Sequence, residues 1–202
     1  MAEQVEKLVK VYKNTKVDAQ MLKDADVDAV IFGKSVLLRL RLKLEGMDKL
    51  QHASAPEVLR HEVCPKGKVA VIGGGLVGLE TADTLATDGC DVTVLEMKDE
   101  IGSDLGSLRK IAVMMKLQQM QVKMLPNSKV CKFTEEGIVL EDETLVPCNC
   151  AVFAVGFASN DSHLLVEECE KRQIPCRVIG DAKSARRALD AIAEGFEAAR
   201  TL

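Results

Sequence analysis

The chain has 202 residues, 47% of them hydrophobic and 29% charged, which is the composition of a globular protein long enough to bury a core. Its formal net charge of −4 argues against nucleic acid as a main partner, because phosphate backbones reward basic surfaces. The longest apolar runs, such as Val69 to Ile72 and Ala151 to Val155, are far too short to cross a bilayer, and Met1-Ala2-Glu3-Gln4 lacks a signal-peptide core, so no membrane partner is expected and the compartment is expected to be cytoplasmic.

Val5, Leu8, Val9 and Tyr12 recur at helical spacing with lysines between them and predict an amphipathic surface helix. Asp28 to Gly33 reads as a short buried strand. Leu38, Leu40, Leu42 and Leu44 alternate with Arg39, Arg41, Lys43 and Glu45, a period of two that predicts a half-buried strand whose basic row reads as solvated surface. Ser54 is an N-cap for a short helix beginning at Ala55-Pro56 and running through Arg60. Pro65-Lys66-Gly67-Lys68 reads as a linker and a domain boundary.

Beyond it comes a buried strand, Val69 to Ile72, then a glycine-rich turn and a helix from Leu76 to Asp88, then a second strand, Val92 to Glu96. Asp104 to Met120 is helical and Val122 to Leu125 is a strand. Lys129 to Val146 reads as three short strands separated by Glu135-Glu136-Gly137 and Asp142-Glu143, an antiparallel meander. Cys150 to Gly156 and Arg177 to Asp181 are further strands, and the alanine-rich stretch from Ser184 to Thr201 is helical.

The turn after Ile72 is G-x-G-x-x-G in form. Gly73 permits a tight exit from the strand, Gly75 leaves the backbone open to a pyrophosphate, and Gly78 lets the helix pack close to the sheet. Unpaired N–H groups at the start of the helix then face the phosphates. Glu96, closing the second strand, is placed to accept hydrogen bonds from an adenosine ribose and to repel a 2′-phosphate. NADH is thus favoured over NADPH, with the nearby Lys98 softening the preference.

Seven cysteines, Cys64, Cys90, Cys131, Cys148, Cys150, Cys169 and Cys176, include no C-x-x-C pair. They are read as reduced structural thiols, with Cys148 and Cys150 pointing to the same side of a strand. His52, His61 and His163 have no serine or cysteine partner at motif spacing, so no hydrolytic triad is expected.

The order of these parts resembles the C-terminal region of the flavin- and NADH-binding reductases related to old yellow enzyme, of the enoate reductase, 2,4-dienoyl-CoA reductase and trimethylamine dehydrogenase type. That region is itself similar to the pyridine nucleotide–disulfide oxidoreductases. The segments that carry the resemblance are Val71 to Ala82, Val92 to Met97, Ala154-Val155-Gly156-Phe157, Val178-Ile179-Gly180-Asp181-Ala182 and Asp190 to Phe196. The resemblance implies an α/β fold: a Rossmann-like parallel sheet with an antiparallel β-meander, residues 66–150, that binds NAD(H) and is inserted in an incomplete second, FAD-type α/β domain formed by residues 1–65 and 151–202. It also implies that Gly156 closes the linker returning to the FAD-type domain, that Asp181 meets the ribityl or phosphate part of a flavin, that the helix from Asp190 sends its N-terminal end toward that flavin, and that Glu80 faces the nicotinamide. The expected cofactor-binding set is Gly73, Gly74, Gly75, Leu76, Val77, Gly78, Glu80, Glu96, Met97, Val155, Gly156, Gly180 and Asp181, with no catalytic side chain and no metal ligand.

Two departures qualify the resemblance. No G-x-G-x-x-G unit precedes Lys66, so the adenosine half of an FAD site is missing and FAD binding is weakened, and the counterpart of the first A-T-G linker is Ile31-Phe32-Gly33. No FMN-binding substrate barrel and no iron–sulfur ligand run is present. The chain is therefore expected to be a piece of a larger flavin reductase, partnered in cis or in trans by the remainder, in which hydride passes from NADH to FAD and on to an activated alkene. The alternative expectation is a non-catalytic dinucleotide-binding module, a sensor or assembly domain that has lost its flavin. A simple NAD dehydrogenase is disfavoured, because no His, Lys or Tyr constellation accompanies the fingerprint.

Overall fold

The computed structural model describes residues 2–33, 37–38, 44–159 and 161–202. In chain order the elements are α1 (Ala2–Leu8), α2 (Ala19–Asp24), β1 (Val30–Phe32), β2 (Leu37–Leu38), β3 (Gln51–Ser54), α3 (Ala55–Leu59), β4 (Lys68–Ile72), α4 (Leu76–Thr87), β5 (Asp91–Leu95), α5 (Ser107–Gln119) and β6 (Lys123–Leu125). There follow β7 (Val130–Thr134), β8 (Gly137–Leu140), β9 (Leu145–Pro147), β10 (Cys150–Phe153), β11 (Phe157–Ala158), α6 (His163–Lys171), β12 (Cys176–Val178) and α7 (Ala188–Thr201). The chain divides into two compact units, residues 38–156 and residues 1–37 with 157–202.

The larger unit is built on a five-stranded sheet in the order β3-β10-β4-β5-β6. Every pair in it is parallel, with Val71 opposite both Val152 and Val94. Successive residues of β4 point to opposite faces, and Val69, Ala70, Val71 and Ile72 are all buried, as a parallel strand covered on both sides requires. Val69 and Val71 join Val92, Val94 and Val152 under Leu79, Ala82 and Leu85 of α4 and Leu117 of α5. On the other face Ala70, Ile72, Ala151 and Phe153 meet Phe133, Ile138, Leu140 and Val146 of a three-stranded antiparallel meander, β7-β8-β9. The parallel sheet and the separate meander together make the α/β, Rossmann-like fold expected from the sequence, and the meander turns fall where Glu135-Glu136 and Asp142-Glu143 interrupt the strands.

The linker expected at Pro65 to Lys68 does not end this unit. Gln51 to Ser54 pairs in register with Cys150 to Phe153, so residues ahead of the linker supply an edge strand of the same sheet. The short helix that follows is closed as the sequence indicates: Ser54 Oγ accepts the Glu57 N–H at 3.4 Å, and Glu57 accepts the Ser54 N–H at 2.7 Å.

The smaller unit carries a two-stranded parallel ladder in which Val30 to Phe32 pairs with Cys176 to Val178. Leu22, Phe32 and Cys169 are buried together there. Helices α2 and α6 were not anticipated: α2 is started by Asp18, whose carboxylate accepts the Met21 N–H at 2.8 Å, and the Arg172 guanidinium after α6 donates to the Leu22 carbonyl. The first helix spans Ala2–Leu8 rather than Val5 to Tyr12, and Val5, Leu8, Val9 and Tyr12 are all exposed. Most of the alternating row from Leu38 to Glu45 lies outside the described residues. Among the described residues no helix is long and apolar enough to cross a membrane.

Ile138 is fully buried beside its cross-strand partner Phe133 in the core shared with the sheet. Ile138→Ala is expected to lower the unfolding free energy by about 2–5 kcal/mol in urea titrations, and a loss under about 1 kcal/mol would mean that the meander does not share the sheet's core.

Candidate functional site

Strands β4 and β5 end side by side, and the helix between them begins at their carboxyl ends, the place where open α/β sheets receive ligands. Gly73 leaves β4 with φ of +110°, and its N–H donates to the Leu95 carbonyl at 2.8 Å. A Cβ on Gly73 would stand 2.5 Å from the Ala154 carbonyl oxygen. A Cβ on Gly78 would stand 1.9 Å from the Gly73 carbonyl oxygen, so helix α4 approaches the strand closely only because both positions lack side chains. Leu76 and Val77 open that helix, with Gly75 at the N-cap offering no side chain of its own.

Two acids meet the turn. Glu96 Oε2 accepts the Gly74 N–H at 2.7 Å and Oε1 accepts the Lys98 N–H at 2.9 Å, so the carboxylate is oriented through both oxygens and keeps further lone pairs for another donor. Met97 beside it is exposed. The loop after Glu96 then folds back over the glycines: the Gly102 N–H donates to the Gly74 carbonyl at 2.7 Å, and Ile101 is buried. That fold carries Asp104 to the start of α4, where its Oδ1 and Oδ2 accept the Leu76 N–H at 3.1 and 3.0 Å. Asp104 was expected inside the following helix. Instead α5 starts at Ser107, and no feature of the helical pattern distinguishes Asp104 from an ordinary first-turn acid.

Glu80 lies on the exposed side of α4, where Arg109 holds its carboxylate at 2.8 Å. β10 ends at Phe153, three residues short of the expected Gly156; Ala154 N–H still bonds the Ile72 carbonyl at 2.8 Å, Val155 packs against the meander side of the core, and Gly156 follows with φ of +87°. Cys148 and Cys150 do not share a side. Cys148 enters the meander-side core and Cys150 the helix-side core, because Cys148 precedes the strand. Burial pushes both thiols up to about 11, which leaves them protonated at neutral pH. Among the described residues no group of His, Cys, Asp and Glu could hold a metal ion.

In the smaller unit Gly180 is buried with φ of +57°, and its N–H donates to Glu194 Oε2 at 2.7 Å. Asp181 accepts the Arg186 N–H at 3.4 Å. The Arg186 guanidinium and the Lys183 ammonium, the latter at 3.3 Å, both donate to Glu194 Oε1. Arg186 first, then the Gly180 N–H, holds the Glu194 carboxyl down at about 2. Sequence reasoning passed over Glu194, whose role appears only when the turn of α7 brings it beside Gly180.

The family model for the pyridine nucleotide-disulphide oxidoreductases matches residues 6–182. The chain belongs to that family. It is 34% identical over 192 residues to a bilirubin reductase of Mediterraneibacter gnavus, an alignment covering 92% of this chain and 29% of that protein. It is 31% identical over 202 residues to a cinnamate reductase of Clostridium sporogenes, covering 96% of this chain and again 29% of the other. The chain thus spans under a third of the length of these relatives. Among solved structures, 2-naphthoyl-CoA reductase superposes with a TM-score of 0.84 at 23% identity over all of this chain and 31% of its own. Histamine dehydrogenase from Rhizobium sp. 4-9 gives 0.77 at 14% identity, over 94% of this chain and 33% of its own. These two likenesses speak for the fold.

The larger unit fits the pyridine nucleotide of this oxidoreductase family. A cradle bare of side chains at Gly73, Gly75 and Gly78 adjoins a helix start and an oriented acid, and a Cβ at Gly75 would fall 3.1 Å from Asp104 Oδ2.

Two outcomes test this geometry. Gly78→Ala is expected to cost about 3 kcal/mol in thermal or urea unfolding, because backbone must move to admit the methyl group, whereas Gly106→Ala, facing open space at the N-cap of α5, should cost under about 1 kcal/mol. Equal, small effects would show that the close approach is not real. For Glu194 the folded carboxyl lies below its ordinary 4.5, so its stabilising contribution is complete above pH 4.5 and disappears as pH falls toward 2. Glu194→Gln is expected to flatten the acid limb of stability in that window, and an unchanged acid limb would count against the Gly180–Glu194–Arg186 cluster.

Proposed function

We propose that this chain is the NAD(H)-binding portion of a flavin-dependent reductase, one that passes hydride from NADH to FAD for reduction of an activated, enoate-type alkene held elsewhere in the full enzyme. The observation that carries the reading is the bare glycine turn at Gly73 to Gly78 with Glu96 oriented beside it. Gly73, Gly74, Gly75, Leu76, Val77 and Gly78 would hold the diphosphate, and Glu96 and Met97 would border the adenosine ribose. Residues 66–150 form the nucleotide-binding span within the larger unit. The smaller unit, residues 1–37 with 157–202, would supply the partial FAD-type domain, with Gly180 and Asp181 offered to the flavin.

A bound reduced nicotinamide supplies a hydride. The chain's own residues bind, orient and select. The Leu76 end of α4 presents backbone N–H groups to a negative charge. Glu96, fixed by the Gly74 and Lys98 amides, accepts ribose hydroxyls and sets its charge against a 2′-phosphate. Glu80, paired with Arg109, and Val155 and Gly156 at the end of the sheet complete the proposed lining. The family match and the reductases among the relatives support the redox part of the reading, and their greater length supports a partner that is the remainder of a larger enzyme, an FMN and substrate barrel in cis or in trans.

Titration calorimetry of the 202-residue chain with NADH and NADPH is expected to show NADH bound at least about tenfold more tightly, since like charges a few ångströms apart are costly, and Glu96→Gln should narrow that gap. Equal affinity of the unaltered chain for both would refute the role of Glu96. Heat with neither would refute the dinucleotide site.

A further inference from the structure

We infer that Asp104 occupies the diphosphate seat and must be displaced by an incoming nucleotide, so that this one carboxylate sets how tightly the nucleotide is held. The inference rests on the dinucleotide reading of the glycine turn. The first N–H of α4 belongs to Leu76, and in a dinucleotide-binding turn it faces the phosphates. Here both oxygens of Asp104 already take it, at 3.1 and 3.0 Å. The position is held there by the loop itself: Gly102 N–H bonds the Gly74 carbonyl at 2.7 Å, and Ile101 stands against Gly74 closely enough that a Cβ on that glycine would lie 3.2 Å from its Cγ1. The carboxylate also covers the bare side of Gly75, with Oδ2 3.1 Å from where a Cβ would stand. An internal anion thus satisfies the donor and fills the space that a phosphate group would take.

The contact is one that can be exchanged. Asp104 is exposed, so water can receive the carboxylate when it leaves, in contrast to the half-buried Glu96. A phosphate arriving at Leu76 meets an occupied donor and a like charge. Both effects lower affinity, and both act only on ligands that carry phosphate.

The experiment compares the unaltered 202-residue chain with Asp104→Asn and Asp104→Ser by calorimetry at one ionic strength, using NADH, ADP-ribose, ADP and adenosine as probes. Asn and Ser can each still accept the Leu76 N–H, so the helix start is kept, and circular dichroism confirms it. The expected result is NADH, ADP-ribose and ADP bound about fivefold to tenfold more tightly by both variants, with adenosine unchanged. Unchanged or weaker binding of the phosphate-bearing probes by folded variants, with NADH still bound by the unaltered chain, overturns the role of Asp104 and leaves the dinucleotide site standing. An equal gain for adenosine also overturns it, since the effect would then not act through phosphate. Absence of NADH binding by the unaltered chain and both variants overturns the dinucleotide reading and this inference with it.

Discussion

The contact of Gly78 with the Gly73 carbonyl is the constraint on which the larger unit turns. Only a missing Cβ permits a helix to lie that close to the strand it follows, since a methyl carbon would come within 1.9 Å of the oxygen. Close approach at that point sets the rest of α4 down on the sheet, where Leu79, Ala82 and Leu85 are excluded from water. Each buried leucine contributes about 1.5–3 kcal/mol by the usual area arithmetic. The same contact aims the start of the helix at the crevice beyond β4 and β5. Core stability and the placement of the helix start at the crevice are therefore consequences of one backbone approach and not two separate features of the turn.

The sheet could carry such a helix only because its other face is also covered. Val69 and Val71 support α4, while Ala70 and Ala151 alternate with Ile72 and Phe153 toward the meander. The small alanines make room for the rings of Phe133 and Phe153, whose centroids are 6.0 Å apart. This is why β4 and β10 read as unbroken apolar runs. A strand with one wet face would have alternated. His52 completes the edge, meeting the Phe153 ring edge-on at 6.0 Å.

Features that depend on local chain chemistry were legible in the sequence. The glycines after Ile72, the acid closing β5, the N-cap at Ser54, and the meander turns each have a short-range cause: backbone freedom, a strand end, a side-chain acceptor, a charged interruption. Features set by distant pairing were not. Gln51 to Ser54 carries no strong strand pattern and becomes a strand because β10 offers it an open edge. Ala19 to Asp24 is six residues, too short for an apolar period to show, and stands because Asp18 caps it and Leu22 is buried with Phe32 and Cys169. Cys148 and Cys150 looked like neighbours on one face until the start of β10 separated them.

Glu96 and Asp104 show how two identical charges beside one turn come to differ. Glu96 ends a buried strand, and two separate amides reach its two oxygens, so leaving its place would break two bonds and uncover a half-buried group. Asp104 stands on an exposed loop, and both its oxygens accept the Leu76 N–H. A fixed charge can discriminate between ligands, because it stays when they arrive. A charge exposed to water can be exchanged, because solvent receives it when it leaves its donor. The sequence placed only Glu96 beside the glycines, and the loop brings Asp104 there. What separates them is burial, and that is decided by the fold of the loop from Met97 to Gly106 over the turn.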